Sequence, residues 1–483
     1  MAVSFDLSWN YSWRLSSGAS NWDAMWVFVK FRTDHGEWQH ATLANTGHTA
    51  PAGSTIDIGL RDPKSGYNIS TNPGLGAFIY KDSTGFGTNT FNDIKLIWNY
   101  AQDGVIQGDP LDIQLHAIHM VYVPQGAFYA GDNATSSSAF KQGSSDNDPW
   151  YIGGEGALSV TNSSGSSGGT GSDSTAAVYY YTSDNGSNDD ASGAAFTIPA
   201  AFPKGYDSFY VMRYELTQEQ WRDFFNSLPT TGSARANRDI TGSSNSAKSS
   251  DNVVDRNNLS WDSSVNSSSA VLPDRDSPNG ENYCNVPMSY VSWDDHLAYL
   301  DWAGLRPLTE LEYEKACRGT ANPVSGEYAW GTTNLTAATG FSSGGKVTEV
   351  PSNSGANATY GSNTAGQARI GSFSSLNYGG ASRGLSGGSY YGTMELSGNT
   401  SELTVTVGNS TGRGYTGEHG DGALDSSGAA NTSNWPTAPG CGERGGSWTA
   451  SSQRIRASDR YSAASGISQR AKEQGIRGGR SWP

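Results

Sequence analysis

Apolar and polar residues alternate along Ser4 to Trp13 (SFDLSWNYSW), whereas Trp22 to Phe31 (WDAMWVFVKF) is almost continuously aromatic or aliphatic. The first pattern predicts a strand with one wet face, the second a strand buried on both faces. Phe78 to Tyr80, Ile94 to Tyr100 and Leu111 to His119 continue the series, and Asp103-Gly104 suits a turn between the last two. Residues 1–118 therefore read as an all-β sandwich. Its Trp-rich strands supply core packing or, on the alternative reading, a carbohydrate-stacking platform.

The period changes to that of a helix in three places. Thr217 and Gln220 form a capping box ahead of Trp221, Phe224, Phe225 and Leu228, which share one face. Ser292 caps a helix carrying Trp293, Leu297 and Leu300 and closed by Gly304. Thr309 and Glu312 form a second capping box before Tyr313, Ala316 and Cys317, closed by Gly319. Between these elements, residues 134–195 and 229–282 are dominated by Ser, Gly, Asn and Asp. With so little apolar area they cannot order independently and read as long surface insertions. The runs Asp146-Asn147-Asp148 and Asn188-Asp189-Asp190 lack the glycine and distal glutamate of an EF-hand loop and read as solvated turns. Beyond residue 320 the chain is rich in Gly, Ser and Thr with short strands, which makes the class α+β.

Charge narrows the partners. With 31 Lys and Arg against 46 Asp and Glu, the net charge is −15. That argues against nucleic acid, whose phosphates demand clustered bases, and against an anionic membrane surface. No apolar run reaches the ~18 residues of a spanning helix, so no membrane insertion is expected. The polar, aromatic N-terminus is not a secretory signal. The 483 residues suggest two to four domains at ~100–200 residues each. Cys284, Cys317 and Cys441 form no CxxC pair and no disulfide framework, and read as unpaired structural thiols. His116 and His119 lie in an expected strand, where they face opposite sides and make no metal pair.

Seven segments occur in a telling order: MVYVPQGAFYAGD (120–132), FYVMRYELTQEQWRDFFNSL (209–228), PMSYVSWDDHLAYLDWAGLRPLTELEYEKACRG (287–319), EYAWG (327–331), MELSGNTSELT (394–404), RGGSW (444–448) and GIRGGR (475–480). The order resembles the formylglycine-generating-enzyme (sulfatase-modifying factor) family. The resemblance implies a variant of the C-type lectin fold over residues 119–483, behind the N-terminal sandwich. In that family, two cysteines shortly after Arg-Gly-Gly-Ser bind copper and activate oxygen, since thiolates suit Cu(I). Here Ala450 and Ile455 stand at the matching positions. The copper chemistry is therefore not carried over, and the expectation is that the chain is not an enzyme. The family also holds calcium around a Gly-Asn-Val-Trp-Glu motif, which reads Gly398-Asn399-Thr400-Ser401-Glu402 here. The resemblance implies calcium held by Asn399 and Glu402, whose oxygens suit that ion. A hydrogen-bonded turn without metal is the other reading.

The stretch from 449 to 474 is small, polar and aromatic, between conventional scaffold segments. Thr449, Ser451, Ser452, Gln453, Arg454, Tyr461, Ser462, Ser465, Gln469 and Arg470 are the candidate ligand-binding residues. Ser, Tyr and Arg together make adaptable recognition surfaces, in which Tyr and Arg anchor. No Asn occurs from 449 to 480, while Thr, Ala, Ser, Tyr, Gly and Ile, all reachable from an Asn codon by changing adenines, are frequent. This arrangement resembles the variable proteins of diversity-generating retroelements. It implies a non-catalytic receptor-binding or adhesion protein on a virion tail or cell surface. The implied partner is a host-surface protein or glycan, with the N-terminal domain attached to a larger assembly. The alternatives are a structural virion or surface component without a ligand, and a superfamily enzyme with altered chemistry.

Overall fold

A computed structural model describes residues 1–133, 138–142, 148–160, 179–181, 196–262, 269–271, 283–373 and 383–482. At its centre is an eight-stranded antiparallel sheet. Its path runs Arg306–Pro307, Gly478–Ser481, Phe209–Met212, Leu111–Val123, Asp23–Thr33, Gly74–Lys81 and Ser54–Leu60, with Gln39–His40 added to Asp23–Thr33. The unbroken apolar run of Asp23–Thr33 is explained by burial on both faces. Ala24, Trp26 and Phe28 join the core under the helices. Met25 and Val27 meet Trp9, Phe91 and Ile94 of a ribbon formed by Ala2–Arg14 and Gly85–Ile97. That ribbon covers the second face of the sheet, as a sandwich requires.

The expected division at 118/119 is corrected. It falls inside the strand Leu111–Val123, which pairs with Asp23–Thr33 along one edge (Trp26 opposite Ile118) and with Phe209–Met212 along the other (Met212 opposite Met120). One sheet therefore serves both halves. Trp26 shows why: its ring packs against Phe78, its Nε1 donates to the Ala303 carbonyl at 2.9 Å, and the Arg480 guanidinium lies 4.3 Å from its centroid. His116 and His119 do face opposite sides. His116 stacks on Phe28, and His119 meets Asp23 and Trp9 beneath the ribbon.

The three expected helices form at Gln218–Ser227, Trp293–Trp302 and Glu310–Arg318, each started by a capping box, with Asp295 completing the one at Ser292. The third ends at Gly319, whose φ of 67° and contact with the Tyr390 ring leave no room for a Cβ. The surface-insertion reading is corrected for the described parts of both stretches. Phe140, Trp150, Ile152, Leu158 and Val160 are buried in a core cluster, as are Ala234, Ile240 and Leu259 in the main one. Asp146, Asn147 and Asn188 to Asp190 lie outside the described residues, and Asp148 is exposed.

All three cysteines are buried and outside any disulfide. No helix among the described residues is long and apolar enough to cross a membrane. A smaller sheet positions the candidate site. Ser401–Val405 pairs antiparallel with Cys441–Arg444 on one side and parallel with Gln474–Gly475 on the other, so residues far apart in sequence share one sheet.

Candidate functional site

The strand Cys441–Arg444 delivers Arg444 onto the helix Glu310–Arg318. Its Nη1 lies 3.0 Å from Glu310 Oε2 and its Nη2 2.6 Å from Glu314 Oε1. Its remaining donors reach the carbonyls of Asp459 (2.9 Å) and Ala457 (3.0 Å). Arg460 adds a fork onto Glu310, at 3.1 and 3.2 Å. These side chains are fully buried, so the charges are tolerable only because each finds an opposite one. Burial pushes the Glu310 carboxyl up, but Arg460 and Arg444 outweigh it and hold it below its usual range. The lattice ties residues 457–460 to the helix and thereby fixes the loop that follows Arg-Gly-Gly-Ser.

Above the lattice lies a cleft of about 330 Å3 walled by Ser401, Glu443, Ser447, Thr449, Ala450, Arg454, Asp459, Tyr461, Ser462 and Glu473. The Arg454 guanidinium sits 3.3 Å from the Tyr461 ring centroid, and its Nη1 is 3.2 Å from Asp459 Oδ2. Thr449 Oγ1 is 3.0 Å from Ser447 Oγ and donates to Glu473 Oε1 at 3.4 Å. Glu443 Oε1 accepts from Gln474 Nε2 at 2.9 Å. Burial raises the Glu443 carboxyl above its usual range, the Gln474 bond opposing and the Glu473 charge adding to the rise. The cleft thus offers three carboxyls, those of Glu443 and Asp459 of raised proton affinity, beside hydroxyls and an aromatic ring.

Of the sequence-derived candidates, Thr449, Arg454, Tyr461 and Ser462 line this cleft. Ser451 and Gln453 are exposed on the turn that leads to Arg454. Ser452 is half-buried. Ser465 Oγ donates to the Ser462 carbonyl at 2.9 Å, and exposed Gln469 accepts from Ser246 Oγ at 3.1 Å. Arg470 is corrected: it is buried, with Nε 2.7 Å and Nη2 2.9 Å from the Asp295 carboxylate, and it donates to the carbonyls of Asp239 and Asn237. Arg238 completes that cluster at 2.7 Å from Asp295. A buried guanidinium with its donors engaged is a clamp on the 229–262 segment. Sequence reading missed Glu443, Asp459 and Glu473. The one available signal was the placement of Glu443 directly before Arg-Gly-Gly-Ser. Ala450 forms part of the cleft wall, while Ile455 is buried against Tyr328 and Trp330.

Asn399 and Glu402, the expected calcium ligands, each take partners within the chain. Asn399 Oδ1 accepts from the Ala368 N–H at 2.7 Å, and its Nδ2 donates to Glu215 Oε2 at 2.5 Å. Glu402 Oε1 accepts from Arg477 Nε at 3.1 Å. Burial pushes the Glu402 carboxyl well above its usual range, with the Arg477 charge opposing. Among the described residues no group of three or more His, Cys, Asp or Glu is arranged to hold a metal. Asn399 fits the hydrogen-bonded turn, while Glu402 Oε2 is buried with no hydrogen-bond partner.

A family model for the sulfatase-modifying factor enzyme 1-like domain matches residues 180–481, more than half of the chain. Short stretches are similar to formylglycine-generating enzymes of three organisms. The identity is 47% over 47 residues for Thermomonospora curvata, covering 10% of this chain and 15% of the relative. It is 49% over 47 residues for Streptomyces coelicolor, covering 10% and 14%. For Mus musculus it is 54% over 35 residues, covering 7% and 9%. The chain therefore spans at most 15% of the length of these relatives. The expectation that the chain is not an enzyme is overturned by these matches, because the domain and the named relatives are of an enzyme family. Through residues 180–481, the chain belongs to the sulfatase-modifying factor enzyme 1-like domain family.

Proposed function

We propose that the cleft between residues 443 and 473 is the ligand site of this family member, and that its ligand presents a cationic group. One observation carries the reading: the basic side chains at the cleft are paired with acids, and two of its three acids have no basic partner. Arg444 is taken up by Glu310 and Glu314, and Arg454 by Asp459 and Tyr461. No described basic side chain pairs with Glu443 or Glu473. A ligand ammonium or guanidinium would complete the set, with Tyr461 beside it. The test is a titration with cationic peptides. Glu473→Gln is expected to weaken binding about tenfold or more, and unchanged affinity would reject the assignment.

The position of the cleft also supports diversified display on a scaffold of C-type lectin type. In this reading residues 449–474 vary, retuning the cleft toward a host-surface protein or glycan on behalf of a virion tail or cell surface. The N-terminal half anchors the module to its assembly. The support is the absence of Asn from 449 to 480 together with the cleft positions of Thr449, Arg454, Tyr461 and Ser462. Sequencing the gene segment for residues 441–480 across a clonal population tests it. Substitutions confined to 449–474 and to template adenines support it, and an invariant segment removes it.

Family membership favours a second reading, turnover of the bound ligand in the same cleft. With Ala450 and Ile455 in place of thiols, such chemistry would rest on Glu443 as proton donor and Glu473 as base. Mass-spectrometric detection of a product that Glu443→Gln abolishes would support turnover. A ligand recovered unchanged would exclude it.

A further inference from the structure

A second cavity shares no lining residue with the C-terminal cleft. It measures about 710 Å3, more than twice the C-terminal cleft, and falls in the ~300–1,000 Å3 range of small-molecule sites. Trp38, Arg61 and Leu75 of the N-terminal half form one wall, and Thr231, Trp302 and Asp421 of the C-terminal half form the other. The site therefore exists only because the two halves share a sheet.

Its lining carries one guanidinium, that of Arg61, and the carboxylates of Glu37, Asp421 and Asp425. Arg61 Nη2 lies 3.4 Å from Asp421 Oδ2. Asp425 is held in its own turn, its Oδ1 accepting from Ser427 N, Ser427 Oγ and Ala429 N at 2.7 to 2.9 Å. Lys30, buried beneath, donates to the carbonyls of Trp302 and Gly422, each at 2.7 Å. What faces the cavity is an indole, with the Arg32 guanidinium 4.7 Å from its centroid, and planar or hydroxyl hydrogen-bonding groups: the Arg61–Asp421 pair, Gln39 and Thr231. An indole matches an apolar C–H face, and a guanidinium–carboxylate pair matches neighbouring hydroxyls through paired donors and acceptors. A phosphate would find no free guanidinium or ammonium in the lining, because Arg61 is taken by Asp421. Glu37, also part of the lining, is exposed.

We propose that this cavity binds a neutral saccharide, with Trp38 as the stacking platform and Arg61, Asp421 and Thr231 as its hydroxyl partners. It is a site separate from the C-terminal cleft and independent of the reading given to that cleft.

The experiment is a tryptophan-fluorescence and calorimetric titration of the full chain with cellotriose, maltotriose, chitotriose, mannotriose and lactose. At least one is expected to bind saturably. Trp38→Ala is expected to weaken that binding about tenfold or more, and Asp421→Asn to weaken it less. Arg454→Ala, in the other cleft, should leave it unchanged. Thr231→Trp fills the cavity from an exposed position and gives the same loss should Trp38→Ala fail to fold. No saturable binding by any of the five sugars overturns the proposal. So does binding that survives both Trp38→Ala and Thr231→Trp in folded protein.

Discussion

Arg444 and Arg454 stand ten residues apart on one loop system, yet they do opposite work. Arg444 is buried among Glu310, Glu314 and two backbone carbonyls, and it locks the loop to a helix. Arg454 is about one-third exposed and leans on Tyr461 and Asp459 at the edge of a cleft. Both are arginines with acidic partners, so residue type does not separate them. Burial does. A desolvated ion pair cannot lose a member without stranding a charge, whereas a half-exposed pair is replaced by water at little cost. The lattice fixes geometry, and the wall above it is free to change.

The largest expected effect comes from the lattice. Glu310→Gln leaves Arg444 and Arg460 short of compensation and should cost about 3–5 kcal/mol of stability, read by denaturant unfolding. A cost below ~1 kcal/mol would show the lattice to be dispensable.

Next is pH. Burial pushes the Glu215 carboxyl up to about 7, with Arg477 opposing, and burial with the Glu215 charge pushes Glu395 up to about 8. Unfolded carboxyls titrate near ~4.3. The raised groups bind protons more tightly in the folded chain, so their contribution is complete below ~4.3 and is lost as pH rises through 7 and 8. Buried histidines of lowered proton affinity act in the opposite sense on the whole chain, so the contribution is read as a difference: the thermal midpoint of Glu395→Gln relative to the parent chain should rise between pH 5 and pH 9. A difference that stays constant or falls over that interval would contradict the assignment.

A smaller effect on stability, with a large one on binding, is expected in the wall. Tyr461→Ala should change stability by about 1 kcal/mol or less. The same change should weaken a cationic ligand severalfold, because the ring face beside Arg454 is lost. A stability loss as large as that of Glu310→Gln would erase the distinction between lattice and wall.

Much of the fold was legible because it depends on local rules. The capping residues Thr217, Ser292 and Thr309 each start a helix where the sequence places it, and the alternation of Ala2–Arg14 does give a strand with one exposed face. What escaped depends on distant partners. Arg470 looks like a surface residue until Asp295, 175 positions away, closes on it. Trp150 and Phe140 are single large residues in a Ser- and Gly-rich background, so average composition hides segments that enter the core. The shared sheet was hidden for the same reason, since nothing local in Leu111–Val123 announces that its second edge belongs to Phe209–Met212. In the cleft, the residues of the loop itself were legible, while Glu443 and Glu473 meet only because Ser401–Val405 brings two distant strands together.

The most direct test of the central claim is calorimetric titration of the full chain with a trilysine peptide and with its fully Nε-acetylated counterpart. The account predicts saturable binding of the charged peptide, none of the acetylated one, and loss of binding in the Glu443→Gln, Glu473→Gln double variant with its melting temperature retained. Equal binding of both peptides, or charged-peptide binding that persists in the double variant, would contradict it.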